Sequence, residues 1–84
     1  MSNTGTLHLI EMSNQIALNL VYGKEQIECV SAIANHIQRF WAPSMRVELI
    51  ALVAQGDPQI HPLVNIAVTQ LSDYSAPNSF QASV

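Results

Sequence analysis

Fixed positive charge is nearly absent from this chain. Lys24, Arg39 and Arg46 are the only Lys or Arg side chains in 84 residues, against six acidic ones, and the formal net charge is −3. Nucleic acid is held largely by neutralised phosphates, so this supply of cations argues against it as the main partner. Anionic lipid is disfavoured on the same ground. Charge of either sign is scarce, at 11% of residues, where about a quarter is usual for a soluble domain. Cys29 is the only cysteine, which excludes a disulfide within the chain and fits a reducing compartment. Long apolar runs are missing too. The longest, Leu49 to Ala54, falls far short of the ~20 residues of a membrane span. Met1 to Thr6 has no basic region leading into an apolar stretch, so no signal peptide is expected and the cytoplasm is the expected location. The glycines Gly5, Gly23 and Gly56 are isolated, so no phosphate-cradling loop is present. The length allows one domain and excludes a dinucleotide-binding fold or a barrel.

What the chain does have is helical periodicity. Residues 1–6 read as a flexible head, 7–71 as a helical domain and 72–84 as a disordered tail, since Ser72 onward lacks periodicity. Four helical patterns fill the middle, with no convincing strand and no internal repeat. The first runs roughly from Leu7 to Tyr22, with Leu9, Met12, Ile16 and Leu20 at helical spacing and Gly23 as its closing cap. The second runs roughly from Lys24 to Trp41 on a stripe of Ile27, Val30, Ile33, Ala34, Ile37 and Trp41. Ala42-Pro43 ends it, and Pro43 suits the first turn of a third helix. That helix carries Met45, Leu49 and Leu52 and stops at Gly56-Asp57-Pro58. Pro62 opens a short fourth helix with Leu63, Val64, Ala67 and Leu71. Short links between such helices imply an all-α fold, a small bundle of about four helices.

The apolar faces are too wide for such a bundle. Beside the main stripes lie Ile10, Ala17 and Val21 on the first helix and Cys29, Ala32 and Phe40 on the second. The third adds Val47, Ile50 and Ala54, nearly opposite its own Met45, Leu49 and Leu52. Scattered exposed apolar residues are ordinary, but contiguous second stripes with few charges point to a protein interface. The densest cluster is His36 to Arg46, which holds the only Trp and two of the three cations. Trp, Met and Arg are enriched at binding hot spots, although Trp41 and Met45 equally suit the packing of a helix–helix corner. The candidate partner interface is therefore His36, Phe40, Trp41, Pro43, Arg46, Val47, Ile50 and Ala54.

Catalytic chemistry finds little support. None of His8, His36 and His61 has a second metal ligand at helical spacing. Cys29 and His36 stand two turns apart, roughly 10 Å along a helix, too far for one zinc ion with ligand bonds near 2.0–2.3 Å. Ser13, Ser31, Ser44 and Cys29 lack the spacing of a nucleophile elbow or a cysteine-protease site. Glu25 and Glu28 share a helix face and read as solvated charges. No catalytic, cofactor-binding or metal-ligating set is assigned.

Three segments, in order, carry a family pattern: Leu9-Ile10-x-Met12-x-Asn14-Gln15-Ile16, then Ile33-Ala34-Asn35-His36-Ile37-x-x-Phe40-Trp41-x-Pro43-x-Met45-Arg46, then Pro62-Leu63-Val64-x-x-Ala67-Val68. With them the chain resembles the delta subunit of soluble, molybdenum-containing, NAD-dependent formate dehydrogenase. It departs from the pattern at Ser44, where arginine is usual, and at Asn19-Leu20, where aromatics are common. The resemblance implies a non-catalytic accessory subunit that docks on the large molybdenum subunit and supports cofactor insertion or complex stability. It implies a complex carrying molybdenum cofactor, iron–sulfur clusters, FMN and NAD, none of them bound by this chain. The alternative is a self-associating helical regulatory or interaction module unrelated to formate oxidation.

Overall fold

A computed structural model describes residues 3–21 and 25–74, with side chains from residue 5 onward. The described residues form α1 (Asn3–Leu20), α2 (Gln26–Phe40), α3 (Pro43–Ala54) and α4 (Pro62–Ala67), with a 3-10 turn over Val68–Gln70 and no strand. The all-α architecture is the one expected. Helix α1 begins at Asn3 rather than Leu7, so it takes in residues 3–6 of the expected head. The Gly23 cap and residues 75–84 of the expected tail lie outside the described residues.

Helix α2 runs through the middle of the molecule and packs against α1 and α4. It buries Cys29, Val30, Ile33, Ala34 and Ile37, the i, i+3, i+4 recurrence of one apolar stripe. Ile27 departs from that expectation: in the first turn of α2, at the end away from Trp41, it is 70% exposed. Trp41, just past the helix, is buried and continues the core into the corner. Ala42 is extended and Pro43 occupies the first turn of α3, where its missing N–H leaves no hydrogen bond unmade.

Helix α3 closes as the spacing predicts. Gly56 takes a positive φ of 77°. Its N–H donates to Val53 O at 3.0 Å, and Asp57 N–H donates to Leu52 O at 3.3 Å. These are the two bonds of a Schellman cap, which needs a left-handed residue between them. Val64, Ala67, Val68 and Leu71 complete the core from the C-terminal side.

The main correction concerns α1. The stripe expected to face the core, Leu9, Met12, Ile16 and Leu20, is only half right. Leu9 is buried, but Met12, Ile16 and Leu20 pack against the core while staying half-buried. The face that enters is Ile10, Ser13 and Ala17, at 2%, 0% and 0% exposure. Ser13 tolerates burial because its hydroxyl donates to Ile10 O at 2.9 Å, which satisfies it inside its own helix. Two small side chains on that face let α1 approach its neighbours closely. On α2, likewise, Cys29 belongs to the interior rather than to a second outward stripe.

Candidate docking surfaces

Three polar clasps hold the bundle and decide which surfaces remain outside. Arg46 of α3 pairs its Nε with the Asp73 carboxylate. Its Nη1 donates to Trp41 O at 2.8 Å and, more weakly, to Gln38 O at 3.4 Å. One guanidinium thereby caps carbonyls at the end of α2 and ties the C-terminal segment to the corner. Gln38 adds a two-way amide clasp, donating to Ser72 Oγ at 2.9 Å and accepting from Ser72 N–H at 2.8 Å. The first residues of the expected tail are therefore tethered.

The α3–α4 loop is held from the other side. Asn14 of α1 donates to Gln59 O and accepts from His61 N–H, both at 2.8 Å. His61 in turn caps α4, its Nδ1 accepting the Leu63 N–H at 3.1 Å. Two family-pattern residues, Asn14 and Arg46, thus turn out to serve architecture.

With these groups engaged, two apolar surfaces stand out among the described residues. The first is the outer face of α3. Pro43, Val47, Ala51 and Ala54 are exposed and Ile50 is half-buried, while Leu49 and Leu52 on the opposite side are in the core. No charged side chain interrupts that outer stripe.

The second is a groove of about 350 Å³ between α1 and α2, lined by Met12, Gln15, Ile16, Asn19, Leu20, His36 and Trp41. Its rim continues onto α2. The His36 ring packs on Phe40 with centroids 4.9 Å apart, and the Arg39 guanidinium lies 5.6 Å from the Phe40 centroid. Phe40 is 68% exposed, a large cost for an aromatic unless something covers it. Three of its seven lining residues, Met12, Ile16 and Leu20, come from the α1 stripe that periodicity had placed in the core. The signal that could have found it is Ser13 and Ala17, whose small size marks the side of closest packing.

Of the interface candidates, His36, Phe40 and Trp41 meet at this groove, with Trp41 buried beneath it. Pro43, Val47, Ile50 and Ala54 share the outer α3 face. Arg46 lies at the corner with its donors engaged inside the chain.

A dinucleotide or flavin phosphate needs cations or a cradle of backbone N–H groups, and the groove lining offers one imidazole and two amides. Among the described residues no three His, Cys, Asp or Glu side chains come together as a metal-binding group. None of the described helices is long and apolar enough to cross a membrane.

No curated protein and no solved structure matches the chain. Residues 8–68 match the family model described as the NADH-dependent formate dehydrogenase delta subunit FdsD. That stretch takes in all three pattern segments, the groove and the outer face of α3. The chain belongs to the formate dehydrogenase delta-subunit family, and its partners are other subunits of such a complex.

Proposed function

We propose that this chain is a non-catalytic accessory subunit that docks on the large molybdenum subunit of formate dehydrogenase in the cytoplasm and supports cofactor insertion or the stability of the complex. The observation that carries this reading is the outer face of α3, an apolar stripe of Pro43, Val47, Ala51 and Ala54 with Val47 54% exposed. Such a face loses water-exposed apolar area on docking, at about 25 cal/mol per Å². A protein that binds only the folded or cofactor-loaded form of its partner shifts that equilibrium by mass action. The chain itself holds none of the molybdenum, iron–sulfur, FMN or NAD groups of the complex. The test is to produce the complex with and without this chain. Omission should lower the molybdenum bound per complex or the yield of intact complex, with turnover per molybdenum preserved. Full molybdenum content in an intact complex with turnover per site abolished would overturn the reading.

A further inference from the structure

The groove between α1 and α2 shares no lining residue with the outer face of α3, and its chemistry describes its occupant. Its lining is mostly apolar, through Met12, Ile16, Leu20 and Trp41, with Gln15, Asn19 and His36 between them. Methionine adapts to varied shapes and buried tryptophan anchors contacts, a combination suited to receiving a large side chain. One turn away, about 5 Å along the axis, the rim changes character. Arg39 sits on the exposed Phe40 ring and has no carboxylate partner among the described residues, whereas Arg46 is spent on Asp73. In a chain of net charge −3, the arginine left open among the described residues therefore stands beside the apolar groove. A cation held on an aromatic ring beside an apolar groove favours a carboxylate.

We infer that this groove receives an amphipathic segment of another formate dehydrogenase subunit, one that seats a large aliphatic or aromatic side chain over Trp41 and sets an Asp or Glu against Arg39. This rests on the accessory-subunit reading and adds a second, charge-selected contact to the α3 face. Rim charge at such a contact governs encounter and partner choice, so the attraction should weaken with salt.

The experiment uses the full chain and the remaining subunits purified without it. A photo-crosslinking benzoylphenylalanine is placed at Asn19 on the groove rim or, separately, at Val47 on α3, and crosslinked peptides are sequenced. The Asn19 probe should capture a segment of another subunit with an acidic residue within a helical turn of a large apolar one. Arg39→Glu should weaken binding by at least about tenfold with helicity intact. Charge reversal of the captured acidic residue should restore it. Asn19→Trp, which fills the groove without touching charge, should weaken binding as well. Binding that survives both substitutions, with crosslinks from Val47 alone, overturns the groove assignment and leaves the accessory role standing. Asn19 crosslinks to a second copy of this chain, or to its own residues 75–84, overturn it too. Loss of all binding to the other subunits by the unsubstituted chain overturns the accessory role and this inference together.

Discussion

Arg46 joins α3 to the end of α2 and to Asp73, 27 residues further along the chain. Its guanidinium reaches the carbonyls of Trp41 and Gln38 and the carboxylate of Asp73, and its side chain is 11% exposed. Hydrogen bonds to charged groups contribute about 1.5–3 kcal/mol each when partly buried. Arg46→Met should therefore cost about 2 kcal/mol in urea unfolding and free the segment beyond Leu71 to limited proteolysis. Arg46→Lys should recover little, because an ammonium cannot reproduce the planar fork. Asn14 is the second joint. Asn14→Asp keeps an acceptor for His61 N–H but turns a carboxylate toward Gln59 O, so it should destabilise by about 1–2 kcal/mol. Protected amides in the 57–61 loop should exchange faster in hydrogen-exchange measurements. Neither role was legible in the sequence. Arg46 reads there as a hot-spot residue and Asn14 as part of a pattern, because the partners of each are decided by how distant segments meet.

Helix α3 has two apolar faces with opposite fates. Leu49 is at 0% exposure in the core, while Val47, two positions away, is 54% exposed. Leu49→Glu buries an unpaired charge, at a cost of several kcal/mol, and a domain this small has little stability to spare. It should lose its helical circular dichroism. Val47→Glu should keep that signal and weaken binding to the other subunits of the complex, measured by pull-down. Unfolding by Val47→Glu with Leu49→Glu folded would invert the two faces. The division within α3 was readable from spacing alone, since Met45, Leu49 and Leu52 fall on one side of a 3.6-residue period. On α1 the same procedure was half right. It followed Leu9, Met12, Ile16 and Leu20 by helical spacing, but beside Leu9 it is Ile10, Ser13 and Ala17 that enter the core.

At the scale of the whole fold, Leu7, Leu18, Ile27, Phe40, Val47 and Ile66 are more than two-fifths exposed among the described residues. A chain with 11% charged residues has few like charges to keep such surfaces apart. The isolated chain should therefore be helical but self-associating, its sedimentation coefficient rising with concentration. Val47→Glu should shift it toward monomer, and a monodisperse unsubstituted monomer at high concentration would contradict the argument.

Composition and periodicity by themselves determined the helical class, the stops at Pro43 and Gly56, the opening of α4 at Pro62, and the surplus of apolar face that calls for a partner. These are local matters: proline lacks an N–H, glycine accepts positive φ, and a helix repeats every 3.6 residues. The run from His36 to Arg46 also carried the family resemblance, through side-chain identity at fixed spacing. Only the tertiary structure decided which face of α1 enters the core, which of the two outer arginines is spent inside the chain, and where the groove opens. Those outcomes depend on the angles and distances at which whole helices pack. A stripe of large side chains becomes core or groove wall according to what the neighbouring helix places opposite it.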